Sequence, residues 1–104
     1  MKKCIFGLFL LFGASFQSLA LELVTARVTV LEPTYLPGKI TFQIDKSTSQ
    51  CPAGTWIQWS KNEENNKAVY ATLLAALSSQ NRINLYFDES DTKCKASYLH
   101  ILRN

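Results

Sequence analysis

The first twenty residues, MKKCIFGLFLLFGASFQSLA, limit what the rest of the chain can become. Lys2 and Lys3 give a positive start, Ile5 to Ala14 is apolar, and Ser18-Leu19-Ala20 ends the stretch in small residues. That order is the layout of a secretory signal peptide, removed on export. The apolar run is shorter than the roughly 20 residues a spanning helix needs, so no stable membrane anchor is expected. Cys4 lies ahead of the run rather than after it, which argues against a lipid anchor. Taking 1-20 as the leader, the predicted mature chain is 21-104, secreted or periplasmic. Its 84 residues are enough for one small domain and one core.

Two cysteines survive the cut, Cys51 and Cys94, 43 residues apart. In an oxidising compartment a lone pair of this kind joins as a disulfide. Closing a loop of that length is worth about 4 kcal/mol in the chain-entropy picture, an upper figure because native strain subtracts from it. With no C-x-x-C and a single histidine, His100, the residues suggest no metal site and no cofactor. The formal charge of +3 falls to +1 when Lys2 and Lys3 leave with the leader. A domain so nearly neutral lacks the basic footprint of a nucleic-acid partner.

Leu23 to Leu31 alternates Val24, Ala26, Val28 and Val30 with Thr25, Arg27 and Thr29. Period two with β-branched residues predicts a strand. Pro33 and Leu36-Pro37-Gly38 mark turns, and Lys39 to Asp45 alternates again through Ile40, Phe42 and Ile44. Thr55 to Ser60, TWIQWS, reads as a third strand. Alternation puts Ile57 and Trp59 on one face and Trp56 and Gln58 on the other. Ile57 and Trp59 make the better core pair, so Trp56 belongs outside. It serves there either as a cover over the barrel end or the disulfide, or as a ligand contact.

After the polar run KNEENN the period changes. Val69, Leu73, Ala76 and Leu77 form the stripe of an amphipathic helix, which Asn65 or Asn66 can cap. Arg82 to Phe87 and Ser97 to Leu102 return to period two. The carboxylates at Asp88, Glu89 and Asp91 lack the glycine and closing glutamate of a calcium loop, so they read as a solvated turn. The order β-β-β-α-β-β is that of a mainly β domain with one helix, and of an OB-fold-like five-stranded barrel in particular. An α+β sandwich is the alternative.

In layout, and in the stretch NNKAVYATLLAALSSQNRINLYFD, the chain resembles the B subunits of bacterial AB5 toxins of the subtilase-cytotoxin and typhoid-toxin type. It is also similar to a group of small exported bacterial proteins that share an N-K-A-x-Y helix opening. The toxin resemblance implies an exported, disulfide-bonded OB-fold that assembles as a homo-oligomer and binds glycans. This chain is shorter than those subunits and its cysteines fall elsewhere, so no sugar-contacting residue carries over.

The residues themselves expect a non-enzymatic binding module for a glycan or protein ligand. Trp56 with Gln58, and Asn84 with Tyr86, pair an aromatic ring with an amide on faces expected to point outward. A sugar needs both: a ring under its C–H face and polar partners for its hydroxyls. No Ser-His-Asp spacing and no Gly-rich phosphate loop is present to suggest an enzyme. The alternative function is inhibitory or structural, acting in the periplasm by occupying a partner's surface.

Overall fold

The computed structural model of the chain describes residues 20–104. The signal-peptide reading falls on 1-20 and so, apart from Ala20, lies outside the described residues. Among the described residues six strands and one helix follow in order: β1 (Leu21–Ala26), β2 (Val28–Glu32), β3 (Ile40–Ile44), β4 (Ile57–Trp59), α1 (Glu63–Ser79), β5 (Ile83–Asp88) and β6 (Ala96–Ile101). They make two three-stranded antiparallel sheets, β1-β5-β6 and β2-β3-β4. The domain is mainly β with one helix. The sheets do not close into a complete barrel. Among the described residues one isolated parallel bridge, Gln58 to Lys95, joins β4 of one sheet to the residue just ahead of β6 of the other.

The expected first strand divides at Arg27 into β1 and β2, one for each sheet. Val24, Ala26 and Val28 are buried as the alternation requires, but Val30 is 40% exposed. The reason is a shift in the β2–β3 register between Val28 and Val30. One extra residue in a strand turns every later side chain to the opposite face. Leu31, opposite Phe42, therefore replaces Val30 against the core.

The core is built from the inner faces of both sheets and one stripe of the helix. Ile40, Phe42, Ile57, Leu73, Ile83 and Leu85 are fully buried within it. Helix α1 begins earlier than its apolar stripe suggests. Asn62 is the N-cap, its side chain accepting the Asn65 N–H at 2.8 Å, and Glu63 and Glu64 fill the first turn. Neither Asn65 nor Asn66 caps the helix. Carboxylates are favoured near the positive end of a helix, so the charged run read as a loop is helical from its third residue, Glu63, onward. Among the described residues no helix is long and apolar enough to cross a membrane.

Asn66 is fully buried. Its Oδ1 accepts the Lys61 N–H at 3.3 Å, and its Nδ2 donates to the carbonyls of Pro37 at 2.7 Å and Gly38 at 3.2 Å. One side chain thus ties the start of the helix to the turn between β2 and β3. Cys51 and Cys94 are joined, with Cα atoms 6.0 Å apart. The bridge links the loop before β4 to the residue ahead of Lys95, next to the Gln58 bridge between the sheets.

Candidate functional site

The β2–β3–β4 sheet carries one polar row across all three strands. Glu32 lies opposite Thr41, and Thr41 lies opposite Gln58. Cross-strand partners share a face, and Ile40, Phe42, Ile57 and Trp59, which alternate with this row, fill the core. The row therefore lies on the outer side. The Glu32 carboxylate accepts the Thr41 hydroxyl at 2.7 Å and the Thr34 hydroxyl at 3.1 Å, which fixes its orientation. A carboxylate offers about four acceptor positions, so capacity remains for further hydroxyls.

Two exposed rings rim this row. Trp56 is 44% exposed and Tyr35 is 51% exposed. Trp56 lies just before β4 rather than in it, because the strand is three residues long. Gly54, with φ +86°, turns the chain ahead of it. Tyr35 comes from the β2–β3 turn, where Gly38 N–H and Lys39 N–H both donate to its carbonyl. The Lys39 ammonium stands 4.9 Å from the centre of the Tyr35 ring. Together Glu32, Tyr35, Lys39, Thr41, Trp56 and Gln58 line an open hollow of about 240 Å³. Glu32 is the single carboxylate in that lining.

Asn84 and Tyr86 are on the other sheet and do not join Trp56 and Gln58. Asn84 Oδ1 accepts the Thr25 hydroxyl at 2.7 Å. The Tyr86 ring meets Tyr98 edge-on at 6.4 Å and His100 at 5.4 Å. Leu23, Tyr86 and Tyr98 form one cross-strand row there, with Leu23 50% and Tyr98 54% exposed. The four sequence-predicted residues thus belong to two separate outer faces.

Of the two tryptophans, Trp59 is the buried one, at 4% exposure. Its indole Nε1–H is enclosed without a hydrogen-bond partner among the described residues. Trp59 also walls a groove of about 410 Å³ between β6 and α1, together with Lys61, Asn65, Tyr98 and His100. The Lys61 ammonium there lies 4.9 Å from the Tyr98 ring centre and 5.7 Å from that of Trp59. Among the described residues no three His, Cys, Asp or Glu side chains converge to hold a metal ion.

Glu32, Tyr35, Lys39 and Thr41 escape a reading of the sequence as isolated residues. Glu32 and Lys39 look like ordinary turn flanks, and only the strand register sets Glu32 beside Thr41 and Gln58. Tyr35, an aromatic inside a Pro-bounded turn, was the one visible signal. No protein-family model, no curated protein and no solved structure matches this chain.

Proposed function

We propose that this chain is an exported, non-enzymatic binding module that holds a glycan in the hollow between Trp56 and Tyr35. The observation that carries the reading is the Glu32–Thr41–Gln58 row lying beneath two exposed rings. A pyranose stacks its C–H face on Trp56 and offers hydroxyls to the Glu32 carboxylate and the Gln58 amide. Glycoside cleavage ordinarily needs two carboxylates across the bond. One carboxylate in the lining favours binding over hydrolysis.

The same proposal takes the two sheets as the halves of an OB-type barrel. β1 and β2, separated only by Arg27, then act as one bent strand, and the Gln58–Lys95 bridge marks where the barrel approaches closure. OB-folds commonly bind oligosaccharides on a strand face and its adjoining loops. The likeness in layout to AB5 toxin B subunits adds a homo-oligomeric state to the proposal.

The test is a glycan array probed with the mature chain, its Trp56→Ala variant and its Glu32→Gln variant. Binding by the wild type that falls at least tenfold in Trp56→Ala and is weakened in Glu32→Gln supports the reading. An empty array, or binding indifferent to both changes, rejects it. A second reading, a protein partner or second copy on the other sheet, rests on the exposed Leu23–Tyr86–Tyr98 row. Sedimentation of the wild type against Leu23→Lys tests it, with a shift to smaller species expected.

A further inference from the structure

We propose that Arg27, Arg82 and Lys46 form a second site, separate from the Trp56 hollow, that takes a phosphate or sulfate group. The β1–β5 ladder pairs Thr25 with Asn84 and ends by pairing Ala26 with Ile83. Arg27 and Arg82 are the next residue on each strand. The two are not ladder partners, since the Arg27 backbone bonds to Asp45, but like charges brought close on neighbouring strands are destabilising. Arg27 and Arg82 nevertheless both line one hollow of about 590 Å³, and Lys46, two residues beyond the end of β3, lines it with them.

The framework holding them is hydrogen-bonded. Arg27 Nε donates to the Gln80 carbonyl at 3.0 Å, which fixes the plane of its guanidinium. Asn104 Nδ2 donates to the same carbonyl at 3.0 Å, and Asn104 Oδ1 accepts the Arg82 N–H at 3.3 Å. Among the described residues the two Nη groups of Arg27 make no hydrogen bond, so the guanidinium keeps its terminal donors for a ligand. Asp45 is the one acidic side chain in the lining. Its Oδ1 accepts the Arg27 backbone N–H at 2.9 Å while its own N–H donates to the Arg27 carbonyl at 3.1 Å. That carboxylate is engaged with the backbone rather than with the guanidinium fork.

The side chains lining this hollow carry three positive charges and one negative, within a domain whose formal charge over 21-104 is only +1. Positive charge is therefore concentrated in this lining. A tetrahedral oxyanion meets it well. Guanidinium forks bind phosphate and sulfate oxygens in pairs, and an ammonium adds a point charge. Such an ion also offsets the mutual repulsion of the cations that line the hollow. The site is independent of the proposed glycan hollow: Thr41 and Asp45 are four residues apart along an extended chain, about 13 Å.

The experiment measures binding of inorganic pyrophosphate to the mature chain by titration calorimetry at constant ionic strength. A second arm uses phosphatidylcholine vesicles with and without phosphatidic acid. We expect pyrophosphate or phosphatidic-acid vesicles to bind the wild type at least tenfold more tightly than Arg82→Ser or Lys46→Ser. Lys67→Ser, which removes the same charge from an exposed position on α1, keeps wild-type affinity. Without ligand, Arg82→Ser unfolds no earlier than the wild type, because it removes a like-charge neighbour. Binding in the pyrophosphate arm assigns the group to a soluble ligand, and binding in the vesicle arm alone assigns it to a lipid headgroup. Absence of binding in both arms, or equal binding by wild type, Arg82→Ser and Lys46→Ser, overturns the proposal.

Discussion

Asn66 offers the sharpest test of how the domain is held together. Its amide serves one backbone donor and two backbone carbonyls from a fully buried position. Each such bond contributes about 1 kcal/mol net. Lys61, Pro37 and Gly38 are themselves exposed residues, so part of what they lose is recovered from water. Asn66→Ala should therefore cost about 2–3 kcal/mol. A domain of this size has a total stability of order 4–13 kcal/mol at the usual 0.05–0.15 kcal/mol per residue, so the variant still folds. With a urea slope of about 1–2 kcal/mol/M, its midpoint falls by about 1–3 M.

Asn66→Asp separates hydrogen bonding from packing. The shape is kept and the acceptor toward Lys61 survives, but the two donors become an acceptor that faces two carbonyl oxygens. Burial and those carbonyls disfavour the ionised form, so the introduced carboxyl has a higher pKa folded than unfolded, where it is about 3.9. The folded state then holds the proton more tightly, and stability falls as pH rises above that unfolded value. Near pH 4 the protonated carboxyl can still donate to one carbonyl. Asn66→Asp should thus be less stable than Asn66→Ala at pH 7, with the gap shrinking toward pH 4. Urea unfolding of both variants at the two pH values is the assay. An Asn66→Asp protein that equals or exceeds Asn66→Ala at pH 7 would refute the donor role given to Nδ2.

Three further outcomes are expected. Trp59→Ala should cost about 3–5 kcal/mol as a buried aromatic truncation, and Trp56→Ala about 1 kcal/mol or less. Trp59→Phe, which deletes the unpartnered indole N–H, should cost far less than Trp59→Ala; denaturant midpoints rank the three. Replacing both Cys51 and Cys94 by serine should cost up to about 4 kcal/mol, the loop-closure figure for a separation of 43, read as a drop in urea midpoint that reductant reproduces in the wild type. The Asp88 carboxyl is held below its ordinary 3.8, first by the Ser90 backbone N–H and then by the Ser90 hydroxyl. A lowered folded pKa gives a contribution that is full above that value and is lost as pH falls through the folded one. Ser90→Ala should blunt this acid-side loss, seen in melting midpoints between pH 5 and pH 2.

The sequence made some elements easy to read and others hard, for identifiable reasons. β3 and β5 were legible because burial on one face imposes strict alternation over several residues. The cystine was legible by elimination, once 1-20 was read as a leader and Cys4 was left out of the pairing. The start of α1 was hidden because Asn62, Glu63 and Glu64 satisfy a cap and a helix dipole without any apolar signal. The exposure of Val30 follows from a one-residue register shift, which depends on the partner strand and not on local composition, and the division at Arg27 follows from β1 and β2 pairing with different strands. Asn66 looked like a surface cap because only the distant Pro37–Gly38 turn gives it something to bond. The polar row in the hollow was half visible: Trp56 and Gln58 stood out, whereas Glu32 and Thr41 joined them only through pairing.

The division of the first strand between two sheets has a consequence for any chain that emerges from its N-terminus. Residues 28-59 contain all of β2, β3 and β4, so that sheet has its full complement of partners when little more than half the chain is out. The other sheet must wait. Leu21 is among the first residues to appear, yet it pairs with Asp88, and β5 in turn needs β6 on its far side. Between the emergence of Trp59 and that of Ile101, β1 is an unsatisfied strand tethered through Arg27 to a sheet already able to form. The interval between these two events is when the chain is most open to a chaperone, a protease or another copy of itself.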